Sequence, residues 1–575
     1  MQEAIVNFRK ECIVFADSCY DAASSYFAKN KNICWIIGFA MVVASLWMRS
    51  QLYLGTDAAF YYLTAEKILD GQRYYYDFFE SNFPLNFYIF TIPVIFHRIT
   101  GIAPLPSFYF FITGISLVSI YFSSLVLKKT NIYKDGVLYQ LFILGVFVGF
   151  FFPIPTFPHN EIGTKTLLFI AFNLPYFCSF FWEADNKKMP AHLRIIIGVF
   201  AGLAVCLKPH YALLPIVMEI YLFIKNRNFR YIFRPMNYAI VVVNIIHLAW
   251  ILLFVPEYIF KIIPMLTVSY HGIMDSFLIQ FIATVFYNNG LFILIILVVY
   301  SKLPKSEYNK IFYAGCIAAI LIAGSENLDS DDQISLLYFF DRLLLIKIIL
   351  DIWRTRQKKI FAYYQKSFLS MAFIWLSSIS VINLYTPQST KDFFDATRVI
   401  MANKLEGKKL MVISEDLFTP LFMYNNEASY NTIITNAFLY GAQNTKLRYE
   451  DRTNYKYKLA DNAEQYFVNS IIEELTKDKP KLIFINNTAP RMNITANKTC
   501  LVHSLEYFMQ YNAFRTALNN YEFYDRVITT NEKTANDKKL GKYKYSRVTW
   551  DYSVYIRKNP GQAEKPALKF QGMFF

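Results

Sequence analysis

Between Ile33 and Leu384 long apolar runs are separated by short charged loops, and the sign of those loops alternates. That is the pattern of membrane-spanning helices, for which about 20 apolar residues cover a hydrocarbon core of roughly 30 Å. The first run, Ile33 to Trp47, follows Lys29 and Lys31 and ends without a small-residue cleavage site, so it reads as a signal anchor. The next, Leu85 to Phe96, is short for a crossing at about 1.5 Å per residue. If it crossed, Lys128, Lys129 and Lys134 would lie outside, so it is taken as re-entrant or interfacial and Pro106 to Leu127 as the second span. Further spans are expected at Val137 to Phe152, Thr166 to Trp182, Ile195 to Leu207, Tyr211 to Ile224, Met236 to Val255 and Ile282 to Tyr300. Ile311 to Ala323, Ile334 to Trp353 and Phe368 to Leu384 complete the series. About eleven spans with the amino terminus inside put the basic clusters, such as Lys225, Arg227, Arg230 and Arg234, on the cytoplasmic side.

The pattern changes after Leu384, where apolar runs shorten and helix and strand signals alternate. KKLMVIS (Lys408 to Ser414) and KLIFI (Lys481 to Ile485) read as buried strands, and YSVYIR (Tyr552 to Arg557) as a closing strand. Phe467, Ile471 and Leu475 mark one face of an amphipathic helix between them. The expected fold class is therefore a polytopic α-helical membrane protein with a C-terminal external α/β domain. Residues 1–32 form a cytoplasmic lead-in, 33–384 the transmembrane domain and 385–575 the external domain.

Composition agrees with this division. Of 575 residues 55% are hydrophobic and only 18% charged, too apolar a chain for one soluble core. The net charge of +15 sits in short clusters between apolar runs, which argues for membrane topology and against nucleic acid. Seven cysteines are spread thinly, and only Cys500 falls well out on the expected external side, so no disulfide framework is implied.

Directly behind the first span lies a polar, tyrosine-rich stretch, GTDAAFYYLTAEKILDGQRYYYDFFESNFPL, Gly55 to Leu85, within an external loop 51–105. Thr56 or Asp57 can cap a helix that carries Tyr61, Ala65 and Ile68 on one face and stops near Gly71, a pattern suited to a helix lying on the membrane surface. An acidic residue at the helix start, two aromatics, a helix ending in Asp-Gly, then Tyr-x-Asp-Phe-Phe-Glu and Asn-x-Pro-Leu resembles the first external loop of the C-type membrane glycosyltransferases. That superfamily includes the protein O-mannosyltransferases and the lipid A aminoarabinose transferases. The resemblance implies transfer of a sugar from a polyprenyl-phosphate carrier to an external acceptor, with Asp57 essential. Many relatives read Asp-Glu where this chain has Asp57-Ala58, and Lys-Pro-Pro-Leu or Asn-Pro-Pro-Leu where it has Asn82-Phe83-Pro84-Leu85.

Such transfer needs a base for the acceptor proton and donors or cations for the departing phosphate. Asp57 fits the base; its plainer reading is a helix cap. Glu161, just before the fourth span, matches a second acidic residue of the superfamily, and is otherwise a carboxylate paired with Lys165. Lys208-Pro209-His210, at the tip of the two short spans, resembles a Lys-Pro-His stretch of certain bacterial members and is placed for phosphate; the alternative is a snorkelling lysine. Glu80 and Asn82 are candidates for donor or acceptor binding, or for folding the loop. His159, His210 and His271 with Asp57 and Glu161 are the one set that could hold a divalent metal, and no ligand spacing supports it. Asp341 and Arg342, inside the tenth span, read as partners of neighbouring helices.

With these features, the resemblance implies a glycosyltransferase of a bacterial inner membrane, acting on its periplasmic face on a polyprenyl-phosphate-linked sugar donor and a glycan, lipid or protein acceptor, among membrane lipids. A flippase of lipid-linked glycans and a non-catalytic scaffold are the rival readings. A transporter keeps its site near the midplane in related halves, and no duplicated half is visible here.

Overall fold

The structure, a computed structural model, describes residues 25–26, 29–30, 32–50, 54–152, 163–273, 306–325, 331–354, 396–401, 403–404, 409–414, 437–449, 451–487, 504–530 and 548–558. The chain packs as two compact units. One comprises Met1–Tyr53, Tyr109–Leu248 and Leu278–Leu384; the other Leu54–Phe108, Ala249–Phe277 and Tyr385–Phe575.

The described part of the first unit is helical. Pro104–Leu127, Lys165–Ala184 and Pro235–Phe254 are the described helices long and apolar enough to cross a bilayer. Ile33–Arg49, Gly136–Phe151 and Ala191–Val205 are apolar but shorter. At 17 residues Ile33–Arg49 reaches about 25 Å. The expected spans at Ile282 to Tyr300 and Phe368 to Leu384 lie outside the described residues.

Several polar groups in this unit are tied to backbone or to each other, as an apolar surround favours. Ser45 and Arg49 donate to the Phe151 carbonyl at 2.7 and 3.1 Å. Arg342, almost wholly buried, donates to the carbonyl of Phe152 at 3.0 Å, which is the helix-to-helix role expected of it. Arg234 joins Glu183 at 3.0 Å and also pairs with Glu219. Close helix approach needs small residues: a Cβ on Gly198 would collide with the Met236 carbonyl. By contrast Val241, Ile245 and Ile246 are more than half exposed, a face that lipid would cover.

The run Leu85 to Phe96 is broken into Leu85–Tyr88 and Thr91–Thr100, of 4 and 10 residues. Ten residues span about 15 Å, so neither piece can cross. The next helix starts at Pro104, close to the expected second span.

The second unit contains a four-stranded sheet of β1 (Leu410–Ile413), β2 (Leu482–Asn486), β3 (Tyr521–Thr530) and β4 (Val548–Arg557), in the order β1-β2-β4-β3. β1 and β2 are parallel; β4 runs antiparallel to both its neighbours. Parallel pairing explains the unbroken apolar runs LMVI and LIFI, buried on both faces. Met411, Ile413, Ile483 and Ile485 face one core with Phe467 and Ile471 of the helix Tyr455–Glu473 and Phe508 and Phe514 of the later helices. Tyr74, Phe78, Phe79 and Phe87 from the polar loop belong to that same core, as do Tyr258 and Ile262.

Candidate active site

The loop helix is Thr56–Leu69, and its N-cap is Gly55, with no side-chain capping bond. Thr56 and Asp57 are thus the first helical residues and not the cap, a correction to the sequence expectation. Extended backbone at Gly55 (φ −61°, ψ 147°) lets the chain enter the helix without a capping side chain. Asp57 lies in the first turn, where the helix dipole favours a carboxylate. Its Oδ2 accepts from the Tyr61 hydroxyl at 3.4 Å. The end is where the sequence placed it: Gly71, at φ +77°, donates to the Ile68 carbonyl, and Gln72 to that of Lys67, both at 3.0 Å. A residue with a Cβ would be strained at that φ.

The expectation of a helix lying on the membrane surface fails. Every residue from Ala58 to Ala65 is buried, whichever way it points. The physical reason is that alanines and tyrosines surround the helix on all sides, so no face is polar enough to remain wet. Tyr61 stacks on Phe90 at 5.6 Å, and Tyr62 meets Phe108 edge-on at 6.5 Å. Asp57 is the partly exposed residue at the head of this buried segment.

After Gly71 the loop folds on itself. Asp77 Oδ2 accepts from the Arg73 amide at 2.6 Å, and the Tyr75 amide donates to the Phe78 carbonyl at 2.8 Å. Tyr75 takes φ +73°, which a bulky residue adopts only under constraint. The constraint is visible: its ring stacks on Tyr466 at 4.8 Å, and the Tyr466 hydroxyl donates to its carbonyl at 2.6 Å. Lys261 Nζ lies 4.5 Å from the Tyr75 ring centre and 3.1 Å from the Tyr76 hydroxyl. Glu80 is buried, and its Oε1 accepts from the Asn82 amide and side chain at 2.6 and 2.8 Å. In this geometry Glu80 and Asn82 form a turn that holds the loop.

Asp57, Glu80 and Asn82 therefore share one unit, with the helices that follow residue 437. Lys208 and His210 belong to the other. There Ala191–Val205 and Leu213–Asn226 form the expected short hairpin, and Lys208 precedes a single turn, Pro209–Ala212, at its tip. Tyr211 fixes that tip by packing on Phe169 at 4.2 Å. Glu161 and His159 lie outside the described residues. His271 lies on the helix Ile263–Ile273. Among the described residues no group of three or more His, Cys, Asp or Glu could hold a metal ion.

Two residues of the loop helix were passed over in the sequence. Burial raises the Glu66 carboxyl to about 7, with Arg98 opposing and Asp70 adding to the rise. Burial lowers the Lys67 amine to about 8, against the pull of Glu474. Their signal was present: adjacent charges in an otherwise apolar helix, TDAAFYYLTAEKIL, are costly and need an explanation.

The class this fold defines is a largely helical chain with bilayer-length apolar helices and a mixed sheet in its second unit. The chain is similar to two crystal structures of ArnT from Cupriavidus metallidurans. One is bound to undecaprenyl phosphate (TM-score 0.49, 12% identity, 93% of this chain and 99% of that one). The other is in the apo state (TM-score 0.47, 10% identity, 93% and 98%). ArnT is an aminoarabinose transferase of the C-type fold, the class that Gly55 to Leu85 resembles. No family model and no curated protein matches the chain.

Proposed function

We propose that this chain is an integral membrane glycosyltransferase that moves a sugar from a polyprenyl-phosphate carrier to a hydroxyl of a glycan, lipid or protein acceptor. In this reading the first unit spans a bacterial inner membrane about eleven times with the amino terminus inside, and the sheet lies on the periplasmic face. Asp57 takes the acceptor proton as the acceptor oxygen bonds to the anomeric carbon. The bond from that carbon to phosphate oxygen breaks, and its electron pair leaves with the carrier phosphate. Lys208 and His210 hold that phosphate, Glu161 is the second carboxylate, and Glu80 with Asn82 shapes the loop beside the substrates.

The observation that supports this reading best is the setting of Asp57. It is a part-exposed carboxylate at the head of a segment whose next residues, 58–65, are all buried. Such packing holds a base in place, and general-base catalysis depends on position before pKa. Asp57 is not the helix cap, and Asn keeps a side-chain oxygen for the Tyr61 hydroxyl, so Asp57→Asn should leave folding intact apart from a first-turn dipole contribution of about 0.3–1 kcal/mol. Transfer should fall about 10² to 10⁴-fold, with a nearly unchanged thermal midpoint in detergent. Transfer at near wild-type rate would sink the assignment and favour the flippase and scaffold readings. Lys208→Ala should raise KM for the lipid-linked donor while Lys208→Arg keeps part of the affinity; unchanged KM in both removes Lys208 from the site.

A further inference from the structure

Away from the Asp57 loop, the helices Ala437–Tyr449, Tyr455–Glu473 and Ser504–Met509, with Gln510 and Tyr511 beyond them, enclose a cavity of about 510 Å³. That is within the range of roughly 300 to 1,000 Å³ typical of small-molecule sites. None of its lining residues comes from residues 54–108.

Its chemistry is specific. Tyr457, Tyr507 and Tyr511 contribute three phenol rings, each an apolar face with a polar tip. The polar side is a connected network around Glu464. The Tyr507 hydroxyl donates to Glu464 Oε1 at 2.6 Å and meets the Tyr511 hydroxyl at 2.9 Å. Gln443 Nε2 donates to the same oxygen at 3.3 Å, and Lys446 Nζ donates to Oε2 at 2.7 Å. Glu464 is thereby fixed and its charge met by Lys446. Arg452 and Glu506 also line the cavity, so with Lys446 and Glu464 its charged residues sum to no net charge.

One polar atom is left over. Gln443 is 6% exposed, and its Oε1 accepts no hydrogen bond among the described residues. Gln443 lines the cavity, so a bound ligand with a hydroxyl group could supply the missing donor. Phenol rings beside fixed carboxylate and amide groups, with no net charge, suit a molecule that is flat and apolar on one side and rich in hydroxyls at its edge. A pyranose ring is such a molecule.

We propose that this cavity is a saccharide-binding subsite that holds a neutral pyranose unit of an oligosaccharide, its ring face on tyrosine and a hydroxyl donated to Gln443 Oε1. The subsite does not depend on the reaction assigned to Asp57, and binding needs no covalent step.

The test uses the full-length chain in detergent, with maltotriose, mannotriose, chitotriose and galactotriose as neutral probes and trigalacturonate as an acidic one. Saturation-transfer NMR and a titration should show at least one neutral trisaccharide bound at millimolar concentration. Tyr511→Ala and Gln443→Leu should each weaken it by about tenfold, equivalent to about 1.4 kcal/mol. Tyr511→Phe, which keeps the ring, should bind within about threefold of wild type and report on folding through its thermal midpoint. Asp57→Asn should bind as wild type does, which separates this subsite from the transfer reaction. Saturation transfer to none of the neutral probes overturns the proposal, and so does selective binding of trigalacturonate. Wild-type affinity in both Tyr511→Ala and Gln443→Leu overturns it as well.

Discussion

The loop helix Thr56–Leu69 and the long helix Pro235–Phe254 are both apolar, yet they dispose of that surface in opposite ways. From Ala58 to Ala65 the loop helix is buried by protein on every side. Pro235–Phe254 leaves Val241, Ile245 and Ile246 open. The second helix of the hairpin, Leu213–Asn226, does the same with Ile216, Ile220 and Ile224. Hydrophobicity alone thus does not say what an apolar helix packs against: lipid accepts any shape, whereas a protein core demands aromatic partners at defined angles, as Tyr61 finds in Phe90.

The largest effect that can break this contrast comes from the same kind of truncation made in each place. Phe467→Ala, in the core shared by the loop and the sheet, should cost about 3–5 kcal/mol and lower the thermal midpoint clearly. Ile245→Ala should change it by less than about 0.5 kcal/mol. Equal costs would mean that the exposed face is packed after all. A smaller effect sharpens what burial does to the loop helix. Folded Lys67 releases its proton near pH 8, while the unfolded residue holds it to 10.5. Between those values the unfolded chain binds more protons, so stability should rise with pH, by up to about 3 kcal/mol relative to Lys67→Met. A wild-type minus Lys67→Met difference that stays flat across this window would contradict it. The smallest effect has the opposite sign. Folded Glu66 keeps its proton to about pH 7 and the unfolded residue only to 4.5. Stability should therefore fall as pH rises through that range, by about 1–2 kcal/mol after allowing for its partial contact with water, and Glu66→Gln should remove the fall.

Much of the first unit was legible because period and length survive without tertiary information. The run Val137 to Phe152 became the helix Gly136–Phe151, and the hairpin turned at Lys208 as its charge and proline suggested. That Leu85 to Phe96 is not a crossing could be argued from lysine placement, whereas its break into two helices could not. β3 was missed because five of its residues, Glu522 to Arg526, are exposed, so it lacks the buried apolar run that marks β1 and β2. For the candidate site, the stop of the loop helix was readable from Gly71, whereas its start was expected one or two residues late, with Thr56 or Asp57 as the cap where the structure has Gly55. The burial of the helix was not readable, since tyrosine is equally at home at an interface and in a core, and only the partner decides. That partner is distant in the chain: Tyr466, Phe467 and Phe438 against Tyr75 and Phe79.

The bond from the Tyr466 hydroxyl to the Tyr75 carbonyl joins residues 391 positions apart. At roughly 5–20 residues per second of synthesis, that separation is about 20–80 s of a ribosome's time. Through that interval Tyr75 has been made and the ring that holds its φ at +73° has not. Until then Tyr75 and Phe79 lack the aromatic partners, Tyr466 and Phe467, that they have in the folded chain. The Tyr75 turn is therefore closed only after residue 466 has been made, late in the synthesis of the chain.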